Sequence, residues 1–223
     1  MSAWEQLFQG DALSTAVVLV LLGMSVLSWV VILWKLWLLR LAGQSVDTAV
    51  GVFWAAPDWH TAETQVHHTD RAGLVGPLVA AAAASRSDGR QTLGDQSGRS
   101  HRLTRLLRDA LAKAQQRLQW GQVVLASVGA TAPFVGLLGT VWGIYHALMG
   151  MAAEGQVTID KVSGPVGEAL VMTAAGLGVA IPAVLAYNVL GRAAGRTEAA
   201  LDAFAHDVRE WVLQTPGGEQ SAH

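Results

Sequence analysis

Residues 164–184 read GPVGEALVMTAAGLGVAIPAV, an apolar stretch that contains one charged residue, Glu168. A segment of about 20 mostly apolar residues is long enough to cross a bilayer as a helix. Its many glycine and alanine residues favour close packing against other helices over exposure to lipid. Because an ionisable group is unfavourable inside a membrane segment, Glu168 is a candidate functional residue.

Two other stretches have a similar apolar character. Ala12–Trp34 and Gly121–Ala153 contain no Asp, Glu, Lys or Arg, and Val162–Gly191 contains only Glu168. The whole chain of 223 residues is 52% hydrophobic and 14% charged, a composition typical of membrane proteins. We therefore predict an all-α membrane protein with three transmembrane helices, of which the second and third are long and extended by a cytoplasmic helical bundle.

The basic residues predict the orientation of these helices. None of the 15 Lys and Arg residues precedes Ala12, and only Lys161 lies between the second and third spans. Since basic residues concentrate on the cytoplasmic side, the N-terminus is predicted outside and the C-terminus inside. Acidic residues near the start also argue against a cleaved signal peptide. The predicted segments are an outside N-terminal segment (1–11), transmembrane helix 1 (12–34), a cytoplasmic helical loop (35–120), transmembrane helix 2 (121–153), an outside loop (154–161), transmembrane helix 3 (162–191) and a cytoplasmic C-terminal helix and tail (192–223).

The predicted cytoplasmic segments contain further helical patterns. Leucines recur at helical spacing in residues 100–121, and a second apolar stripe runs from Leu201 to Val212. Each pattern predicts an amphipathic helix that buries one face. Residues 69–86 suggest another helix, and residues 87–100 suggest a turn or flexible joint because they are rich in Gly and Ser.

Small residues form a stripe along each of the last two predicted spans. We expect these stripes to pack helices closely together. The residues predicted to pack are Ala132, Gly136, Gly143 and Ala147 in the second span, and Ala169, Gly176 and Ala180 in the third. Thr140 and Thr173 lie on the same stripes, so Thr140, Glu168 and Thr173 together suggest a polar pathway for protons.

Simpler interpretations of the polar residues stay open. A threonine hydroxyl in a membrane helix often bonds only to its own backbone. Glu168 lies seven residues from Lys161, about 10 Å along a helix, so it could pair with Lys161 or extend toward water.

Several function classes have no support in the sequence. The absence of cysteine excludes disulfides and thiol catalysis, and the net charge of -2 gives no reason to expect nucleic-acid binding. No hydrolase or phosphate-binding motif is present. We therefore predict no enzyme activity, no cofactor and no metal site.

Residues 130–148, ATAPFVGLLGTVWGIYHAL, and residues 160–188, DKVSGPVGEALVMTAAGLGVAIPAVLAYN, carry a resemblance to a known family. They resemble the ExbB/TolQ/MotA family of proton-driven inner-membrane motors, and its ExbB members in particular. Thr140 matches the threonine of the family's GTVWGI motif. Glu168 matches the glutamate of its GEAL motif, and Thr173 matches the threonine five positions later.

The resemblance implies a homo-oligomer, a pentamer, in the bacterial inner membrane. It implies an ExbD-like partner whose membrane helix carries an aspartate, and a TonB-like protein that receives the work and opens outer-membrane transporters for iron carriers and vitamins. A TolQ-like role in envelope integrity is an alternative, and so is a passive membrane scaffold that stabilises a TonB-like protein.

Overall fold

The computed structural model describes residues 12–86, 93–154 and 159–214 of the chain. Within these ranges the chain forms six helices and no strand, which confirms the predicted all-α class. The helices are α1 (Ala12–Ala55), α2 (Trp59–Thr69), α3 (Gly76–Arg86), α4 (Leu93–Gln119), α5 (Gln122–Glu154) and α6 (Ile159–Gln214).

Three helical stretches are long and apolar enough to cross a membrane. They lie within Ala12–Ala55, Gly98–Ala152 and Ser163–Gln214, and their most apolar windows have mean hydropathies of 2.8, 1.7 and 2.1. The number of these stretches, three, agrees with the three predicted transmembrane helices. Helix α1 has 44 residues and α6 has 56, so both continue well beyond their apolar segments.

The chain divides into two compact units, and unit 1 contains the apolar segments. It comprises the chain up to Lys35 together with Gly121–Val189. Its buried centre joins α1, α5 and α6 through Val17, Leu21, Val128, Ala132, Ala180 and Ala183. Large apolar side chains such as Leu33 and Phe134 stay exposed, as expected where lipid or another subunit covers a surface.

Unit 2 comprises Leu36–Trp120 and the chain from Leu190 onward. The apolar faces predicted for α4 and the end of α6 are buried here. In α4 the buried residues are Leu103, Leu107, Ala114 and Leu118, and in α6 they are Leu201, Phe204, Val208 and Val212. Unit 2 therefore has a conventional hydrophobic core, in which burial of apolar area supplies the main stabilisation.

An aromatic cluster joins three helices of unit 2. The ring of Phe53 in α1 meets Trp59 in α2 and Phe204 in α6 edge to face, with centroids 5.5 and 5.1 Å away. Trp59 also stacks on Trp211, with centroids 5.5 Å apart and planes 17° apart. Such aromatic pairs add stabilisation beyond the area that they bury.

The connection between α2 and α3 is organised by the Asp70 carboxylate. It accepts hydrogen bonds from the backbone N–H groups of Val75 and Gly76, at 2.8 and 2.7 Å, and from the Ser45 hydroxyl at 3.1 Å. The Ser45 oxygen in turn accepts from the Ala72 N–H at 3.1 Å. Asp70 therefore caps α3 and holds its first turn to α1.

A second side chain supports the same connection. Gly73 has a φ of 64°, in the left-handed region that glycine adopts readily. The Arg117 guanidinium of α4 donates to the carbonyl oxygens of Gly73 and Ala72, at 3.1 and 3.2 Å. The polar groups of this turn are thus bonded from both α1 and α4.

The structure corrects the prediction of a joint over residues 87–100. Helix α4 begins at Leu93, so residues 93–100 are helical although Gly and Ser are frequent there. The remainder of that predicted joint, residues 87–92, lies outside the described residues. Gly and Ser lower helix propensity only modestly, and a long amphipathic helix with a buried face overcomes this.

We predict that Asp70→Ala destabilises the chain by at least about 1.5–3 kcal/mol, the value of one charge-assisted hydrogen bond. Thermal unfolding in mild detergent measures the loss. Asp109→Ala is the control, because Asp109 is an exposed acidic residue of α4, and it should change stability by less than about 0.5 kcal/mol. Equal melting curves for both variants would contradict the capping role.

Candidate functional site

Helices α5 and α6 approach closely at two glycines. A Cβ placed on Gly176 would lie 2.7 Å from the Ala132 carbonyl oxygen and 3.1 Å from the Gly136 Cα. A Cβ on Gly136 would lie 2.7 Å from the Met172 carbonyl oxygen. Real Cβ atoms do not come this near to backbone atoms, so only glycine fits at either position.

Two threonine hydroxyls meet between the helices at this point. The side chain of Thr140 in α5 is 8% exposed. Its Oγ1 lies 3.1 Å from the carbonyl oxygens of both Gly136 and Ala169. It also hydrogen-bonds to Oγ1 of Thr173 in α6, which lies 3.5 Å from the Gly136 carbonyl oxygen.

This hydroxyl pair has two ways to arrange its protons. Each hydroxyl has one proton to donate and lone pairs to accept with. In one arrangement Thr173 donates to Thr140, which donates to a carbonyl oxygen. In the other, Thr140 donates to Thr173, which donates to the Gly136 carbonyl. In both arrangements the two protons are used inside the site, so the free lone pairs can accept from a neighbouring group, and a hydroxyl donates to that group only when it releases its present acceptor.

Glu168 occupies a different side of α6. It is exposed, and it forms no hydrogen bond or ion pair with the side chains that the structure describes, which do not include that of Lys161. Five residues separate it from Thr173, which corresponds to about 140° around a helix. Of the three predicted pathway residues, the structure therefore brings Thr140 and Thr173 together and leaves Glu168 apart from them.

The face of α6 around Glu168 is formed mostly by small residues. We name it the Glu168 face, and it comprises the exposed residues Gly164, Gly167, Glu168, Val171, Ala175 and Gly178. A Cβ placed on Gly164, Gly167 or Gly178 would have no atom within 4 Å. Within a single chain these glycines therefore do not serve helix packing, in contrast to Gly136 and Gly176.

The remaining residues that were predicted to pack are buried or partly buried. Ala132, Ala169 and Ala180 are 0%, 1% and 4% exposed. A Cβ on Gly143 would lie 3.0 Å from that of Ala169. Ala147 is half-buried.

Sequence reasoning missed several parts of this arrangement. The carbonyl oxygens of Gly136 and Ala169 accept from the hydroxyl pair, and the identity of a side chain gives no sign of such a backbone role. Gly129 and Gly139 also face close neighbours, because Cβ atoms there would lie 2.5 Å from Val184 Cγ2 and Met172 Sδ. The signal for Gly139 was its place one turn after Val135 and Gly136 on the packed side of α5.

No metal site accompanies the hydroxyl pair. In residues 12–86, 93–154 and 159–214, no three His, Asp or Glu side chains are grouped as ligands. The chemistry available between α5 and α6 is therefore that of hydroxyl groups and backbone carbonyls.

Residues 76–203 match the model of the MotA/TolQ/ExbB proton channel family. This chain belongs to that family. The match includes α5 and α6 up to Ala203, and with them Thr140, Glu168 and Thr173.

Individual relatives are similar over about half of the chain to nearly all of it. Biopolymer transport protein ExbB of Xanthomonas campestris pv. campestris is 42% identical over 212 residues, which cover 91% of this chain and 83% of that protein. ExbB of Neisseria gonorrhoeae is 56% identical over 107 residues, which cover 48% of this chain and 49% of that protein. Tol-Pal system protein TolQ of Pseudomonas aeruginosa is 34% identical over 189 residues, which cover 84% of this chain and 82% of that protein.

Family membership relates the hydroxyl pair to proton transport. The chain is a multi-pass inner-membrane protein and a subunit of a proton-driven motor. Polar side chains inside the membrane segments of such a protein are expected to belong to the ion pathway.

We predict that Gly176→Ala destabilises the chain and that Gly178→Ala does not. Both replacements gain the same helix propensity, about 1 kcal/mol, so the difference between them isolates the clash at Gly176. Overpacking typically costs about 1–3 kcal/mol. Thermal unfolding in mild detergent measures the difference, and equal stability of the two variants would show that α5 and α6 do not need the close approach.

Proposed function

We propose that this chain works with an ExbD-like partner to convert proton motive force into work on a TonB-like protein, for import of iron carriers and vitamins. The observation that carries the proposal is the hydroxyl pair of Thr140 and Thr173, held between two apolar helices in a member of a proton channel family. The match to ExbB of Xanthomonas campestris pv. campestris, over 91% of this chain and 83% of that protein, supports this output.

The hydroxyl pair suits a site next to a partner's membrane carboxyl. Such a carboxyl needs a donor when it is ionised and an acceptor when it is protonated. The pair accepts through its free lone pairs, and it donates when one hydroxyl turns away from its backbone carbonyl toward the carboxylate. A membrane potential of 100 mV provides about 2.3 kcal/mol for each proton that crosses, which is enough to bias such a change of state.

Glu168 supports an oligomer with an enclosed interior. A charged side chain facing the centre of the bilayer costs about 2.5–3.5 kcal/mol on insertion scales. In the single chain Glu168 is exposed on an apolar helix. We therefore propose that the Glu168 face lines the interior of a homo-oligomer, a pentamer, where it meets water and the ExbD-like partner.

The open glycines favour the same arrangement. Gly164, Gly167 and Gly178 have free space above them in the single chain. A smooth face of this kind lets the backbone of another membrane helix approach closely. The N-terminus lies outside and the C-terminus inside in this proposal, because the basic residues are concentrated in the segments assigned to the cytoplasm.

A TolQ-like output is the second candidate. TolQ of Pseudomonas aeruginosa is 34% identical over 84% of this chain, so the motor is shared and the partner decides the output. Purification in mild detergent, followed by mass spectrometry of the bound chains, distinguishes the two. Recovery of a TonB-like protein supports import, and recovery of a TolA-like protein supports envelope maintenance.

We predict that Gly178→Leu weakens the oligomer or its hold on the ExbD-like partner, because the larger side chain blocks approach to the Glu168 face. Native mass spectrometry of the purified complex measures the stoichiometry. Gly23→Leu is the control, since Gly23 is exposed on α1 and also has no atom within 4 Å of a placed Cβ. Equal spectra for both variants would contradict the assignment of this face to assembly.

We predict that Thr140→Val and Thr173→Val abolish energy-dependent uptake of a ferric siderophore while leaving complex recovery nearly unchanged. Valine keeps the branched shape and removes the hydroxyl, and the backbone hydrogen bonds of both helices remain. Uptake assays in cells, with quantified recovery of the complex, measure both effects. Thr131→Val is the control, because the exposed Thr131 hydroxyl bonds only to the Ser127 carbonyl oxygen of its own helix.

Two Glu168 variants separate charge from hydrogen bonding in the same assay. Glu168→Gln removes the charge and keeps hydrogen bonding, so it should impair uptake less than Glu168→Ala if the carboxyl organises a polar network. Equal losses indicate that ionisation is required. Full uptake by all the Thr140, Thr173 and Glu168 variants would favour a passive scaffold that stabilises a TonB-like protein.

A further inference from the structure

Arg86, the last residue of α3, lies against two tryptophan rings of unit 2. Its guanidinium carbon is 4.6 Å from the ring centroid of Trp59 and 4.9 Å from that of Trp211. Both distances are within the range of cation–π attraction. The position of the Arg86 head group is therefore fixed by α2 and α6 as well as by its own helix.

Several nitrogen atoms around this position are buried without a hydrogen-bond acceptor. They are Nη1 of Arg86, Nε of Arg99 and Nε1 of Trp59, and none has a partner in the described part of the chain. A guanidinium donates in its own plane, so the rings against the face of Arg86 do not satisfy its N–H groups. Because buried polar groups are nearly always paired, three unpaired donors on α2, α3 and α4 require an explanation.

The charges at this position point to an anion. Burial lowers the pKa of Arg86, and the nearby positive charge of Arg99 lowers it further. Among the described residues no acidic side chain forms an ion pair with either arginine. The two guanidinium charges repel each other, and an oxyanion near both would offset the repulsion and accept from the unpaired donors.

We propose that Arg86, Arg99 and the indole N–H of Trp59 form a binding site for a soluble phosphate-type anion. A tetrahedral oxyanion offers acceptors in several directions, which suits donors from three different helices. Arginine is the residue best matched to such a group, because its donors lie in a planar fork. This site is separate from the hydroxyl pair and does not depend on the proposed output of the motor.

The length of α6 favours a soluble anion over a lipid headgroup. Trp211 lies 21 residues beyond Leu190, where the part of α6 in unit 2 begins. At the rise of an α-helix this is about 30 Å, comparable with the thickness of a bilayer core. A headgroup at the end of the apolar segment would not extend over that distance.

Inorganic phosphate is the probe for this site, added to the full-length chain in mild detergent. The ionic strength is held constant with sodium chloride. At a phosphate concentration of about ten times the Kd, mass action predicts a rise of roughly 3–6 °C in the unfolding midpoint. Isothermal titration calorimetry gives the affinity. No binding and no rise in the wild-type chain would overturn the proposal.

Substitution of each proposed donor tests whether that donor binds phosphate. Arg86→Gln and Arg99→Gln should each weaken phosphate affinity about ten- to hundred-fold. Trp59→Phe keeps the ring and removes the N–H, so it should weaken affinity less while retaining the fold. Arg108→Gln is the control, because Arg108 is an exposed arginine of α4. Equal phosphate affinity in wild type and in all four variants would overturn the assignment of these donors.

Two further arms test other sources of negative charge. Phosphatidylglycerol vesicles present the same chemistry on a lipid, and stabilisation by these vesicles but not by phosphate would overturn the soluble source. Asp88→Asn and Asp95→Asn remove the acidic residues between Arg86 and Arg99 in the sequence. Phosphate binding that appears only in these variants would show that the chain neutralises its own arginines, and would overturn the proposal.

Discussion

The close approach of α5 and α6 at Gly136 and Gly176 is the constraint on which the candidate site depends. Lipid tails are as apolar as leucine, so membrane helices gain little from hydrophobic association and rely on packing and polar contacts. Only backbones without Cβ atoms between them bring the Thr140 hydroxyl within 3.1 Å of the Ala169 carbonyl oxygen on the other helix. The glycines and the hydroxyl pair therefore form one structural feature, since neither helix could supply the contact alone.

Some polar groups of unit 1 have hydrogen-bond partners within the chain, and others depend on assembly for a partner. The hydroxyls of Thr140 and Thr173 are satisfied inside one chain, by each other and by backbone carbonyls. Glu168 is exposed in the same chain and has no partner among the side chains that the structure describes. A carboxyl on an apolar surface needs water or a protein partner, so its environment is completed by assembly. The fold of one chain therefore fixes the surroundings of the two threonine hydroxyls, whereas a partner can change those of Glu168. Such a difference suits a motor subunit.

Unit 2 contains one complete polar arrangement and one incomplete arrangement. Asp70 receives three hydrogen bonds from α1 and the first turn of α3, so its charge is fully used within the chain. Arg86 has two rings against it and a buried nitrogen with no acceptor among the described residues. A partly buried charge with unpaired donors is less stable than one that is paired. The first arrangement therefore supports the fold alone, and the second gains stability from an added anion.

The sequence by itself determined the number of apolar segments, the helical class and the residue types along α5 and α6. These properties depend on hydropathy and on a period of 3.6 residues, which are local. The small-residue stripes also predicted Gly136 and Gly176 as packing residues. Only the tertiary structure decided that these two pack against each other while Gly164 and Gly178 stay open, because this depends on which face of α6 meets a neighbour. It also decided that Leu93 begins α4, and that the hydroxyl pair uses backbone carbonyls. Burial of a distant apolar face outweighs local propensity, and carbonyl positions follow from the distance between helices rather than from side-chain identity.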